Sequence, residues 1–397
     1  MNGAARRNLV LATVAFTISF ALWGLISGLA PIFKAWYGLS ATETSLIVAI
    51  PVLLGSLGRI PVGLLTDRFG GRIVFAVVLM FGIVPALALA ADHSYQSLLL
   101  WGLLLGVMGT SFAVGVAFVA PWFPAEKQGA ALGVYGAGNI GQSIAVFGAP
   151  FLAGTIGIAA TLPLFGIASL AWGLVFALVA RNAVVAGPPK TVGENLQVFR
   201  HEPVAWILSI FYFLTFGGFV ALSIYLPALL RDMYDLTVED AGARTAGFVM
   251  LATLSRPIGG WIADRIGGVR LLIAVFFGLA GMAWLLIFPS IYLFSVGALG
   301  AAACLGLGNG GVFKLVPRYF PRNTGTVTGL VGAAGGLGGF FPPIVLGLFR
   351  DITGSYTPGF ALFSIFASGC LMVLFLLPAF NAPESETKPE RLMVLEG

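Results

Sequence analysis

A chain of 397 residues that is 58% hydrophobic and only 9% charged cannot clothe itself in a water-facing surface, because a soluble domain carries about 25% charged residues. A mean hydropathy of +0.99 agrees, and a formal charge of +5 reflects loop residues rather than a nucleic-acid surface. The composition is that of an all-α polytopic membrane protein, with the lipid bilayer as its surroundings and no nucleic-acid partner.

Taken in order, the chain opens with Arg6 and Arg7 ahead of an apolar run, 9–30, which is too long for a signal-peptide core. It reads as the first of twelve spans. The next five cover 44–65, 73–91, 98–120, 130–154 and 158–180. The last six cover 204–230, 241–263, 271–289, 291–315, 326–348 and 357–380. A polar stretch with Gly187-Pro188-Pro189-Lys190 separates the two sets. The expected organisation is a six-helix bundle over 1–182, a linker over 183–203, a second bundle over 204–383 and a disordered tail over 384–397. Cys304 and Cys370 lie in apolar runs and read as core residues. His93 and His201 have no second ligand at metal-binding spacing, so no metal, cofactor or catalytic group is expected.

Lysine and arginine set the orientation. With the N-terminus inside, fifteen basic residues fall in inner segments and only Lys34, Arg231, Arg244 and Arg350 in outer ones. Both termini are therefore expected in the cytoplasm, with a multi-pass chain in the cytoplasmic membrane.

Two of the twenty-one basic residues remain. Arg59 and Arg256 lie inside apolar spans, whereas all acids fall in loops, at span ends or in the tail. At 1.5 Å per residue, Arg59 stands roughly 12 Å from the inner end of its helix, near the middle of a hydrocarbon core about 30 Å thick. A charge there costs about 2.5–3.5 kcal/mol on insertion scales, and guanidinium cannot escape it by losing a proton. Bonding to backbone carbonyls in a packed interface would be a purely structural answer. An anion is the functional one, and the planar fork suits a small planar oxyanion such as nitrate, nitrite or a carboxylate.

The two arginines are 197 residues apart. So are Asp67 and Asp264, Arg68 and Arg265, Gly138 and Gly335, and Gly141 and Gly338. One offset of half the chain marks an internal duplication and places Arg59 and Arg256 facing each other between the halves. Asp67 and Asp264, at helix C-termini where the dipole disfavours an acid, need Arg68, Arg72, Arg265 or Arg270 nearby. They read as a tight charged turn or as a latch on the inner gate. The glycine-rich spans holding Gly138, Gly141, Gly335 and Gly338 read as helix-packing faces and as surfaces along which the halves move. Asn139 is a polar amide in the densest part of the first, able to donate to an anion.

The segments Gly63–Arg72 and Gly260–Arg270 resemble the loop motif of the major facilitator superfamily. More narrowly, Arg59, Ser255-Arg256-Pro257, Ala131-Leu132-Gly133, Gly138-Asn139-Ile140-Gly141 and Gly308-Asn309-Gly310-Gly311-Val312-Phe313-Lys314 resemble the signature of its nitrate/nitrite porter family. The resemblance covers nearly the whole chain. It implies two pseudo-symmetric six-helix bundles, alternating access, and nitrate or nitrite held between the two arginines. Asn139, Phe112, Tyr212, Phe216 and Phe313 would line the site. Nitrate/nitrite exchange and a monomer are the expected mode and state. The same arginines could serve an exchanger of formate- or oxalate-like anions, or a proton-coupled nitrate importer. An intramembrane enzyme is excluded by the want of a nucleophile with a base.

Overall fold

A computed structural model describes residues 3–92, 94–183, 202–320, 324–377 and 380 of the chain. Most of the expected linker and the whole of the expected tail lie outside these residues, as do His93 and His201.

Among the described residues there is helix and no strand. The helices join into twelve rods. These are α1 (Gly3–Tyr37), α2 (41–69), α3 (Gly71–Ala91), α4 (Tyr95–Trp122), α5 (125–156) and α6 (Ile158–Val179). The second half supplies α7 (Pro203–Tyr234), α8 (Val238–Ile266), α9 (Gly268–Leu285), α10 (Ile291–Tyr319), α11 (324–353) and α12 (Thr357–Leu376). Ten contain an apolar window long enough to cross a membrane. The other two are α5 and α8, the glycine-rich rod and the rod carrying Arg256, whose polar residues dilute the apolar signal. Large apolar side chains such as Leu178, Phe277 and Ile365 are exposed on the outer wall, as a lipid-facing surface requires.

Local chemistry sets the rod ends. Ser40 and Glu43 form a reciprocal capping box at the start of α2, and Thr237 accepts from the Asp240 N–H at the start of α8. Gly70 and Gly267 hold φ of 81° and 92° between α2 and α3 and between α8 and α9. They are again 197 residues apart, and only glycine takes such turns without strain.

Both ends of the molecule can be named from the chain itself: the near end, where Gly3 lies, and the far end, where α1 passes into α2. Rods α1, α2 and α5 face α7, α8 and α11 across the bundle interface. Towards the far end the interface is bonded. Gln142 Nε2 donates to Ser223 Oγ (2.8 Å), and Ser143 Oγ to the Ala246 carbonyl (3.1 Å). Farther out, the Asp232 carboxylate takes both Lys34 (2.9 Å) and Arg350 (2.7 Å). Asp351 accepts the Ala41 and Thr42 N–H groups at the start of α2 (3.1 and 2.8 Å), a carboxylate on a helix N-terminus across the interface. Towards the near end, a Cβ placed on Gly133, Gly136, Gly329 or Gly332 would meet nothing within 4 Å. The described hydrogen bonds and ion pairs that join the bundles thus gather towards the far end.

Besides the breaks at Gly24 in α1 and Gly82 in α3, regular helix fails at mid-depth in five more rods. α2 is broken at Gly58, the residue before Arg59. α4 tightens to 3-10 geometry over Gly106–Thr110, and α5 does so over Ala137–Asn139. α7 widens to a π segment over Phe213–Gly217, and α11 turns between Leu337 and Phe341. Such departures mark functional sites more often than packing alone would.

Candidate anion site between the bundles

The broken rods surround both arginines. The Arg59 guanidinium carbon lies 5.7 Å from the ring centres of Phe112 and Phe216. That of Arg256 lies 5.0 Å from Phe216 and 5.2 Å from Phe219. Phe216 is therefore shared, and the two cations are separated by no more than about twice the distance from either to that ring. At an effective dielectric near 20 this implies a repulsion of about 1.5 kcal/mol or more. The aromatic faces soften it, each cation–π contact contributing about 0.5–2 kcal/mol.

The aromatic floor is braced on both sides. Tyr212 stacks on Phe216 with ring centres 5.1 Å apart and meets Phe313 edge-on at 4.7 Å. In the other bundle Tyr135 stacks on Phe16 (4.8 Å) and donates to the Ser111 carbonyl (2.7 Å). The predicted lining residues Phe112, Tyr212, Phe216 and Phe313 thus come together. Tyr135, Phe16 and Phe219 also belong to the assembly, and among thirty-three phenylalanines nothing singled out the last two.

The donors decide what the site can bind. Arg59 Nη1 donates to the Gly332 carbonyl of α11 in the opposite bundle (2.8 Å). Arg59 Nε and Arg256 Nε and Nη2 are buried without a partner. No described acid is placed against either guanidinium. Buried N–H groups of this kind are rare and call for an acceptor, and the acceptor consistent with two fixed cations is an anion.

Asn139 ends the 3-10 segment of α5, and its side chain bonds locally. Its Nδ2 donates to the Gly136 carbonyl of its own turn (2.9 Å), leaving Oδ1 buried and unpaired. A carbonyl partner forces the amide nitrogen towards Gly136. One amide hydrogen thereby pins the 3-10 segment, and the second hydrogen of the NH2 group keeps the capacity to donate to an anion that the sequence suggests.

The glycines also have specific duties. A Cβ on Gly138 would strike Phe16, and one on Gly141 would lie 1.9 Å from the Thr17 carbonyl. In the repeat, Gly335 meets Tyr212 and Gly338 meets the Phe213 carbonyl. These four are close-packing positions inside a bundle, α5 on α1 and α11 on α7, and not on the sliding face. Gly336 faces the other bundle, as do Gly339 and Gly347 farther along: a Cβ on Gly336 would sit 2.3 Å from Ser56 Oγ and 3.4 Å from Arg59 Nη1. The 197-residue offset could have found it, since it pairs Gly336 with Asn139 and Gly332 with Tyr135. The second repeat is stripped of side chains where Arg59 enters.

The charged turns hold contacts within their own bundles. Asp264 pairs with Lys314 of α10, and Arg265 covers the Trp261 ring at 3.8 Å. Arg68 lies over Phe69 at 5.3 Å, and Arg72 donates to the Ala177 carbonyl of α6. The side chain of Asp67 lies outside the described ones, and no described contact of Arg270 crosses between bundles.

The family model described as the Major Facilitator Superfamily matches residues 11–343 and 234–395. Over 370 residues the chain is 40% identical to the nitrite extrusion protein of Bacillus subtilis, covering 93% of each. It is 41% identical over 370 residues to a probable nitrate/nitrite transporter, NarK2, of Mycobacterium tuberculosis, covering 91% of this chain and 93% of that one. In fold it is similar to the human organic anion transporter MFSD10, with a TM-score of 0.70 at 17% identity over 94% of this chain and 100% of the other.

Proposed function

The chain belongs to the major facilitator superfamily and, within it, to the nitrate/nitrite porters, and on that premise we propose that it moves nitrate and nitrite across the cell membrane by alternating access. The observation carrying this reading is the pair of buried guanidinium groups at the bundle interface, with three unpartnered N–H-bearing nitrogens and no carboxylate. The anion would bind between Arg59 and Arg256 over Phe216, and the halves 1–182 and 204–383 would rock about it as a monomer in the bilayer. With both termini in the cytoplasm, the near end is the inner one.

Charge also sets the mode of transport. An empty carrier must close around two cations that repel each other, and no acid in the described interior can take up a proton to ease the step. One monovalent anion halves the net charge and bridges the forks, so the loaded carrier reorients faster than the empty one. Exchange of nitrate for nitrite follows.

Counterflow in proteoliposomes tests this. Unlabelled nitrate or nitrite inside should accelerate entry of labelled nitrate at least severalfold, with formate and chloride weak competitors and little response to a pH gradient. Strong pH-driven uptake into anion-free vesicles would overturn the exchange mechanism. Preference for formate would overturn the substrate.

A further inference from the structure

The arginines and the aromatic floor leave one buried amide without a role. Asn309 of α10 is 3% exposed, yet neither its Nδ2 nor its Oδ1 has a hydrogen-bond partner. A neutral amide sequestered with both ends unpaired is a costly arrangement, which native interiors keep only for a reason.

Packing places this residue beside Arg256. α10 lies against α8 through glycines: a Cβ on Gly310 would be 2.6 Å from the Arg256 carbonyl, and one on Gly306 2.2 Å from that of Ala252. Residue 309 is therefore level with Arg256. Gly308 faces α7, where a Cβ would be 2.6 Å from Thr215 Cγ2. Phe313, one turn along and on the same face as Asn309, packs on Tyr212 of α7. The helical repeat thus turns Asn309 into the wedge between α7 and α8, where Arg256 keeps Nε and Nη2 unpaired.

The duplication gives the same placement independently. Asn309 is 197 residues after Phe112, whose ring lies under the Arg59 guanidinium. What Phe112 is to Arg59, Asn309 is to Arg256, with an amide in place of a ring. Thr253, one turn before Arg256, and Thr215 in the π segment also bury unpaired hydroxyls, so this wedge is the polar side of the site.

We infer that Asn309 donates to the bound anion and distinguishes nitrate from nitrite, a reading that rests on the substrate class proposed above. Two guanidinium groups approaching from opposite bundles account for two oxygens of a planar anion. Nitrate carries a third oxygen and nitrite does not. A neutral amide beside Arg256 supplies a donor to that oxygen without adding a third charge to a site already repulsive. With nitrite bound the amide stays unpaired, and a site built to bond a group discriminates against the analogue lacking it. Asn139, whose nitrogen already serves Gly136, is less suited to this task.

Calorimetric titration of the purified full chain with sodium nitrate and sodium nitrite decides it, using Asn309→Leu, Asn309→Ala and Asn309→Ser. In the leucine and alanine variants the nitrate Kd should rise roughly tenfold or more, the loss of one hydrogen bond to a charged acceptor. The nitrite Kd should move less than about threefold, and serine should recover part of the difference. The anion-free Asn309→Leu protein should unfold at a temperature equal to or above the parent's, because an unpaired amide has been removed. A purely structural asparagine would lower it. Equal losses for both anions, or no loss for nitrate, in any folded variant would overturn the inference. Failure of the parent to bind either anion would instead overturn the substrate reading, and this inference with it.

Discussion

At the scale of single residues the site is two cations fixed where neither can lose its charge. Arg59 and Arg256 are not equivalent, although the duplication makes them counterparts. Arg59 spends Nη1 on the Gly332 carbonyl across the interface, while Arg256 keeps Nε and Nη2 free. Lysine at either position keeps the charge but loses the planar fork. Arg59→Lys and Arg256→Lys should each lower nitrate counterflow at least tenfold in proteoliposomes. Arg59→Lys should in addition loosen the contact between α2 and α11, seen as faster hydrogen exchange around Gly332. Near-parent counterflow in either variant would sink the two-fork arrangement at that position.

At the scale of elements the rods are packed by glycine and opened by irregular helix, and the two uses can be separated. Gly141 admits the Thr17 carbonyl, which a Cβ would meet at 1.9 Å, whereas Gly133 on the same rod has open space beside it. Gly141→Ala should therefore push α5 off α1 and destabilise the protein by about 1–3 kcal/mol, lowering the unfolding midpoint in detergent by several degrees. Gly133→Ala should be neutral or slightly stabilising in the same assay, since alanine is the better helix former by about 1 kcal/mol. Similar midpoints for both variants would show that the α5–α1 contact relaxes freely. The π segment of α7 and the 3-10 segment of α5 sit at site depth for a related reason. They re-aim Tyr212, Phe216 and Asn139 where a regular helix would carry them round to another face.

At the scale of the whole molecule the described form is held by its far end. Asp232 bridges Lys34 and Arg350, and Asp351 caps α2 from the other bundle. These contacts are partly exposed, so the bridge contributes about 1 kcal/mol, or roughly fivefold in a two-state ratio. Asp232→Asn should shift the population by about that factor towards the form open at the far end. Single-cysteine labelling at Gly133→Cys for the near opening and Ser27→Cys for the far one would report it. Unchanged labelling would reduce the bridge to a surface ion pair. The latch proposed for Asp67 and Asp264 acts at the opposite end and would engage only when that end closes. Asp264→Ala should then move the same labels the other way, towards the form open at the near end.

The number of spans, the duplication, the two interior cations and the absence of interior acid were all determined by the sequence alone. Each is a matter of composition or of one constant offset, and a bilayer punishes stray charge so strongly that position along the chain reports depth. Arg59 and Arg256 were legible for that reason, whereas Phe112, Tyr212, Phe216 and Phe313 were named only by the family resemblance. The tertiary structure decided the rest, because it depends on which faces meet. Lys34, Asp232 and Arg350 become one ion cluster only when the far ends close, and nothing in their spacing announces it. One amide hydrogen of Asn139 is taken by its own turn through a 3-10 segment that no residue preference specifies. Asn309 looked like one more member of a glycine run. Its burial without a partner, level with Arg256, is a property of three packed helices and of no stretch of sequence.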